Sequence, residues 1–177
     1  MPLPDPDDPM TTAPDTPAPR WYWEDFAPGT VREFGAKRID RDEVIRFARE
    51  FDPQPFHLDE AVAAAHPLFR GLAASGWHTC AMVMRMMCDE YLLEAASLGS
   101  PGLEKLQWLK PLYPGDVLRV RMETLEARPM NSKPHVGLVR TQWEAIARRP
   151  SGEDEVVLRM EGWGMFRRRD VPAPDAP

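Results

Sequence analysis

The 177-residue sequence has only two cysteines and four histidines, and it lacks any long apolar run. Cys80 and Cys88 cannot build a disulfide framework, so we expect free thiols in a reduced, cytoplasmic protein. No stretch approaches the roughly 20 apolar residues of a membrane helix, and residues 1–20 lack the features of a secretory signal. No histidine pair has metal-ligand spacing and no Cys-x-x-Cys occurs, so we expect no metal site.

A basic surface is also missing, since 28 acidic residues outnumber 22 lysines and arginines and the formal net charge is −6. This balance argues against nucleic-acid binding, which needs a basic face. The single basic block, residues 167–169, is interpreted as a solvated strand end, with phosphate binding as a second hypothesis. No dinucleotide or phosphate-loop motif occurs, and Ser75 lies outside a Gly-x-Ser-x-Gly elbow.

Prolines crowd the first 20 residues, among aspartate and threonine that offer little to bury. Because proline blocks the hydrogen bonds of helices and ladders, we predict a disordered tail at residues 1–20. A similar composition predicts a second disordered tail at residues 170–177. The remaining residues, 21–169, are predicted to form one domain, which is long enough to bury a core.

Two helices are predicted in the first half of the domain. Asp40 with a glutamate three residues later forms a capping-box pattern, which predicts a helix over residues 41–51. Asp52 should end that helix, because the following Pro53 disfavours helical conformation in the residue before it. A short helix is predicted over residues 59–65.

A longer helix is predicted over residues 77–97, which contain neither proline nor glycine and are rich in Ala, Met and Leu. Its apolar residues lie on more than one face, which predicts burial on several sides. Its methionines are interpreted as core residues. A second, less favoured interpretation is that their flexible side chains adapt to bound acyl chains.

Strands are predicted at both ends of the domain. Residues 31–39 and 103–109 each form a candidate strand, and apolar residues then alternate with polar ones in three further segments. Alternation with a period of two residues predicts antiparallel strands with one buried face. The sequence therefore predicts an α+β fold, in which an antiparallel β-sheet wraps around one long central helix. The positions on the face predicted to be buried are Leu118, Val120, Met122, Val139, Thr141, Trp143, Ala145, Val156, Leu158 and Met160.

The segment from Asp52 to His57 is the first candidate for chemistry. Pro53 and Pro55 make it a rigid turn at a helix end, so a carboxylate and an imidazole can converge there. Imidazole titrates near neutrality, and a neighbouring carboxylate can share acid–base work with it. The alternative is a structural turn, in which Asp52 only ends the helix. Spacing alone leaves both open.

This segment resembles the signature of the MaoC-like dehydratases and R-specific enoyl-CoA hydratases. Their pattern is Asp, His and a second Asp, followed by a small residue and a Gly that opens the central helix. The corresponding positions in this chain are Asp52, His57 and Asp59, followed by the Ala74-Ser75-Gly76 step. Residues 109–116 also resemble that family's Pro-x-x-Pro-Gly-Asp turn at a strand end. The resemblance covers roughly residues 22–166.

The resemblance implies a single hotdog fold and a hydratase or dehydratase that acts on acyl thioesters. Asp52 and His57 would activate a water for addition to a trans-2-enoyl thioester, or run the reverse elimination. The backbone N–H of Gly76 would polarise the thioester oxygen, as fits the positive end of a helix. No metal or redox cofactor is implied, because coenzyme A or an acyl-carrier thiol arrives as part of the substrate.

The chain departs from the family pattern at two positions beside these residues. Gln54 replaces the usual Asn, and Ser75 replaces a common His. We expect Gln54, Ser75, Trp77 and His78 to contact substrate, although a histidine at a helix start is more often a capping or hydrogen-bonded residue.

Two rival functions fit the same pattern. One is a hotdog acyl-CoA thioesterase, which would hydrolyse the thioester. The other is a non-catalytic acyl-CoA binding module that keeps the fold without turnover. In each case one sheet around one helix leaves an open side, so we expect a homodimer or higher homo-oligomer with the acyl tunnel at the interface. We expect neither nucleic acid nor membrane as a partner.

Overall fold

The computed structural model describes residues 18–172. The predicted tails lie largely outside this range, at residues 1–17 and 173–177. Within the described range, no helix is long and apolar enough to cross a membrane.

A single 5-stranded antiparallel sheet forms the larger part of the fold, with strand order β1-β3-β4-β5-β2. The long strands β3, β4 and β5 pair as consecutive hairpins in its centre, and the shorter β1 and β2 form its two edges. The strands are β1 (Val31–Arg38), β2 (Gly102–Trp108), β3 (Val117–Met130), β4 (Lys133–Arg148) and β5 (Asp154–Arg167).

Three α-helices occupy the first half of the chain: α1 (Arg41–Phe51), α2 (Glu60–Ala65) and α3 (Gly76–Glu90). Each begins at a side-chain cap, in which Asp40, Asp59 or Ser75 accepts a backbone hydrogen bond from the first turn. Such caps satisfy N–H groups that have no partner within the helix. The predicted boundaries of α1 are confirmed.

Helix α3 packs one face into the concave side of the sheet. Met82, Val83, Met86 and Met87 are buried there, against side chains of the central strands. Complete burial of an aliphatic side chain of this size stabilises the folded state by roughly 1.5–3 kcal/mol. The buried positions that face the helix from the sheet include Leu118, Val120, Met122, Val139, Trp143, Ala145, Leu158 and Met160. The predicted α+β hotdog fold, a sheet wrapped around one helix, is confirmed.

The predicted end of the long helix at residue 97 is wrong, because α3 stops at Glu90. Tyr91 is buried with its N–H bonded to the Met87 carbonyl, and a 3-10 turn follows over Leu92–Glu94. Ala96 then bonds to the backbone of Trp21 and of Arg167. Pairing with the sheet therefore overrides the helix propensity of this segment, which composition alone does not reveal.

Candidate active site

The turn between α1 and α2 brings Asp52 and His57 together. Helix α1 ends at Asp52, whose N–H still bonds to the Ala48 carbonyl. Gln54 N–H then bonds to the Asp52 carbonyl, and a 3-10 turn over Pro55–His57 closes the segment. As a result, Nε2 of His57 lies 3.5 Å from Oδ2 of Asp52. The two predicted groups converge at one point.

The His57 ring is fixed by a hydrogen bond on its other side. Nδ1 lies 2.8 Å from the carbonyl oxygen of Ala73, and the side chain is almost completely buried. Because a carbonyl oxygen can only accept, Nδ1 carries the proton in this bond. Nε2 is therefore the ring nitrogen that is free to exchange a proton with Asp52 or with a molecule in front of it.

Both oxygens of Asp52 accept hydrogen bonds from neighbouring side chains. Gln54 Nε2 donates to Oδ1 at 2.7 Å, and Ser75 Oγ donates to Oδ2 at 2.7 Å. Burial raises the pKa of Asp52, but these two hydrogen bonds and the nearby His57 outweigh it and hold the pKa below its ordinary value. Asp52 is thus maintained as a carboxylate that can accept a proton transiently.

Ser75 does not occupy the substrate-contacting position that the sequence predicted. Its relative exposure is 0%, and it lies behind Asp52 as the N-cap of α3. Its hydroxyl donates to Asp52 and accepts from the N–H of Trp77 at 3.2 Å. With its proton committed to Asp52, Ser75 positions the carboxylate and does not face the cleft.

Gly76 is the first residue of α3 and lies beside the Asp52–His57 pair. No acceptor for its N–H occurs among residues 18–172, as is usual in the first turn of a helix. The positive end of the helix dipole lies there too. The indole of Trp108 covers its flank, since a Cβ added to Gly76 would lie 2.5 Å from the indole nitrogen. Glycine therefore allows this close approach.

A cleft of about 970 Å³ opens in front of these groups. Asp52, Gln54, His57, Gly76 and Trp77 all line it. Five of the seven predicted catalytic and substrate-contacting residues are thus brought together around one cavity, as a binding or reaction site requires.

His78 does not join this set. Its ring stacks on Phe47 of α1, with 4.5 Å between ring centroids, and its Nε2 lies 3.6 Å from Glu43. The predicted contact between His78 and substrate is therefore not supported, because the side chain packs between α1 and α3 on the far side of the helix start.

Residues 167–169 also lie elsewhere. Arg168 packs over the Trp23 ring and donates to the Pro134 carbonyl, while Arg169 forms an ion pair with Asp25. These arginines tie the N-terminal aromatic segment to the end of β5. The phosphate-binding hypothesis for them has no support in this geometry.

Sequence reasoning missed two features of the cleft. The sequence pattern places Trp108 in a strand and indicates no further role for it, and only its proximity to Gly76 in the fold reveals that it lines the cleft. Arg149 forms a buried ion pair with Asp116 of the Pro-Gly-Asp turn, where Gly115 has a φ of 92° that favours glycine. Neither contact has a signal in local spacing.

Within residues 18–172, no group of three or more His, Cys, Asp or Glu side chains is placed to hold a metal ion. The groups available for chemistry are therefore a carboxylate, an imidazole and a backbone N–H. Together they can activate a water and stabilise a developing oxyanion.

Comparisons with known proteins identify the family of the chain. The family model described as MaoC like domain matches residues 25–145. The uncharacterized protein YdeM of Bacillus subtilis (strain 168) is 30% identical over 110 residues, which cover 62% of this chain and 77% of that protein.

Solved structures show the same fold. The MaoC-like dehydratase from Rhodospirillum rubrum is 37% identical with a TM-score of 0.75, covering 85% of this chain and 99% of that one. An R-hydratase from Pseudomonas aeruginosa is 21% identical with a TM-score of 0.64, covering 90% and 96%. With the family model matching most of its length, the chain belongs to the MaoC-like family of hydratases and dehydratases.

Proposed function

We propose that this protein adds water to the double bond of a trans-2-enoyl thioester, or removes water from the 3-hydroxyacyl thioester. The observation that carries the proposal is the placement of the Asp52 carboxylate 3.5 Å from Nε2 of His57, at a cleft beside the start of α3. This reaction needs two groups that can exchange protons, together with one backbone N–H.

Asp52 and His57 hold the water that reacts. The carboxylate accepts one hydrogen bond from the water, and Nε2 of His57 forms a hydrogen bond with the same water molecule. The hydrogen bonds that Asp52 accepts from Ser75 and Gln54, and the one that His57 donates to the Ala73 carbonyl, fix both side chains, so the water is oriented before the substrate arrives. Such preorganisation avoids much of the entropic cost of bringing the reactants together.

In the hydration direction, a proton passes from the water to the Asp52–His57 pair as the water oxygen forms a bond to the β-carbon. The electron pair of the double bond shifts toward the thioester oxygen, and the N–H of Gly76 stabilises the charge that develops there. The pair then returns a proton to the α-carbon. Water and thioester alone balance this step, so no metal or redox cofactor enters the proposal.

Replacement of Asp52 or His57 tests the proposal directly. Asp52→Asn and His57→Gln should each lower kcat/KM for crotonyl-CoA hydration by a factor of about 100 or more, the usual worth of a positioned acid or base. The decrease in double-bond absorbance at the thioester measures turnover. Melting curves should show that both variants fold.

Asp89→Asn and His135→Gln are matched controls outside the cleft and should keep wild-type rates. Release of free thiol without loss of the double bond would instead support the thioesterase. Thioester binding without turnover, unaffected by the two substitutions, would support the non-catalytic module.

We further propose that the protein forms a homodimer whose interface borders the cleft. Met84 and Trp77 on α3 are exposed, as are Leu103 and Trp108 on β2. The Trp77 and Trp108 rings are in contact, so exposed apolar side chains of α3 and β2 meet at this point. A second copy of the chain would cover this surface and enclose the acyl group.

A further inference from the structure

The buried carboxylate of Asp116 belongs to the Pro-Gly-Asp turn and has no role in the steps described above. Only 1% of the residue is exposed, and its side chain forms an ion pair with Arg149. Its Oδ2 also accepts a hydrogen bond from the backbone N–H of Tyr113 at 2.8 Å. Because an ionised side chain loses its hydration on burial, the groups bonded to Asp116 are needed to keep it in the interior.

The peptide group between Leu112 and Tyr113 is hydrogen-bonded at both ends. Its N–H donates to Asp116, and its carbonyl oxygen accepts from the N–H of Ala74 at 2.8 Å. Hydrogen bonds in such a chain polarise one another, so an anion that accepts from the N–H strengthens the carbonyl oxygen as an acceptor. The negative charge of Asp116 therefore strengthens the bond between the Leu112 carbonyl and Ala74.

The peptide group between Ala73 and Ala74 continues the chain to the active site. Its N–H is the donor in the bond just described, and its carbonyl oxygen accepts from Nδ1–H of His57 at 2.8 Å. Nε2 of the same ring lies 3.5 Å from Oδ2 of Asp52. His57 is therefore linked to a second carboxylate in addition to Asp52, through two peptide groups.

We propose that Asp116 is a positioning residue that holds the His57 ring and favours its protonation during the reaction. The inference rests on the proposed role of His57 in hydration. When Nε2 of His57 takes a proton, the ring becomes positive and Nδ1–H becomes a stronger donor. A strengthened acceptor at Ala73 then stabilises the charged ring. The buried carboxylate of a Ser-His-Asp triad does the same by direct contact, whereas Asp116 acts through two peptide groups.

NMR of the substrate-free protein with isotope-labelled histidine tests this chain of hydrogen bonds. The sequence has only four histidines, and comparison with His57→Gln identifies the Nδ1–H signal of His57. The wild type should show it downfield and in slow exchange with water, because the proton is buried in a bond to a carbonyl. Asp116→Asn removes the negative charge and should move the signal upfield. Asp116→Ser is a second uncharged variant and should move it in the same direction. A signal that stays in place, or its absence from the wild type, would overturn the proposal.

Turnover provides the second measurement. Asp116→Asn should lower kcat for crotonyl-CoA hydration about fivefold with KM unchanged, the size expected when one hydrogen bond is weakened in the transition state. Glu144→Gln is the matched control, since the Glu144 side chain is only 14% exposed, pairs with Arg159 and lies outside the cleft. This control should keep the wild-type His57 signal and the wild-type kcat.

The two measurements separate failure of this inference from failure of the proposed function. Wild-type turnover, with the signal and kcat both unchanged in Asp116→Asn, would overturn the role of Asp116 alone. An upfield signal in Asp116→Asn, in a protein that turns over no enoyl thioester, would support the hydrogen-bonded chain and overturn the proposed hydration. Equal losses of kcat in Asp116→Asn and Glu144→Gln would overturn the positioning role in favour of a purely structural one.

Discussion

Ser75 contributes one hydroxyl group to the site, and that group makes two hydrogen bonds. It donates to the carboxylate of Asp52 and accepts from the N–H of Trp77. The same side chain therefore caps α3 and orients Asp52, so that the acid–base pair and the start of the helix are held in one fixed relation. We assign Ser75 as a positioning residue, because it does not reach the cleft.

Ser75→Ala should change the pH dependence of the reaction. The hydrogen bond from Ser75 is among the interactions that lower the pKa of Asp52, so its removal should raise that pKa. The acid limb of kcat/KM reports the free enzyme, and it should move to higher pH. Loss of the cap should also reduce the free energy of unfolding by about 1 kcal/mol.

Asp40→Ala separates these two effects. Asp40 caps α1 through the N–H of Glu43 and lies outside the cleft, so this variant should lose similar stability with an unchanged acid limb. Ser75→Thr should restore the acid limb, since it keeps the hydroxyl. A purely structural role for Ser75 would leave the acid limb of Ser75→Ala where the wild type has it.

The helices show which features local sequence can predict. The cap of α1 at Asp40 and its end before Pro53 depend on residues within a few positions of one another, and both are where the pattern places them. The end of α3 depends on contacts between Ala96 and the distant Trp21 and Arg167. The amino-acid composition of the segment therefore predicts a longer helix than the one that forms. Helix propensity is weaker than such tertiary contacts.

The candidate site also contains residues that local sequence predicts and a residue that it does not. Asp52, His57 and Gly76 follow from a signature within one stretch of chain, and the structure brings them to one cleft. The position of Trp108 against Gly76 depends on how β2 meets α3, which no local spacing encodes. His78 follows the matched positions closely, yet the turn of the helix directs it toward α1 instead.

The contact between α1 and α3 makes folding stability depend on pH. Burial lowers the pKa of His78, and Lys37 and Arg46 lower it further, while Glu43 raises it in part. As the pH falls to the ordinary histidine pKa of about 6.5, the unfolded chain therefore takes up a proton at His78, whereas the folded chain does not. The stability contributed by neutral His78 is therefore complete above that pH and is lost as pH falls below it.

His78→Phe should weaken this dependence. Phenylalanine can stack on Phe47 but carries no titrating group, so the free energy of unfolding should fall less between pH 7 and pH 5.5 than in the wild type. Urea titrations across that range measure it. His135→Asn should keep the wild-type slope, and an unchanged slope in His78→Phe would show that other groups cause the acid sensitivity.

The sheet of the whole molecule has two edges, and they differ in chemistry. Strand β1 presents Arg32, Glu33, Lys37 and Arg38, charges that discourage edge-to-edge pairing. Strand β2 has two charged residues, Glu104 and Lys105, which pair with Arg140 of β4 and Glu161 of β5. It also carries exposed Leu103 and Trp108, and the Trp108 ring contacts Trp77 on the exposed face of α3. An exposed apolar surface of this kind marks an interaction site, which favours β2 as the edge that meets a second copy.

Charge placed on this surface should separate the two copies. Leu103→Lys and Met84→Glu introduce charges at half-exposed positions, so the monomer should fold, whereas burial of an unpaired charge at the interface would be costly. Light scattering after size-exclusion chromatography should give the wild type a mass twice the 20.2 kDa of one chain, and the variants the mass of one.

Val31→Lys on β1 is the matched control, because Val31 is similarly exposed at the opposite edge, and it should remain a dimer. If Val31→Lys dissociated while Leu103→Lys did not, β1 would be the joining edge. The cleft beside Trp108 would then stay open to solvent in the assembly. The variants at β2 should also lose hydration activity on dissociation, because the acyl group would no longer be enclosed.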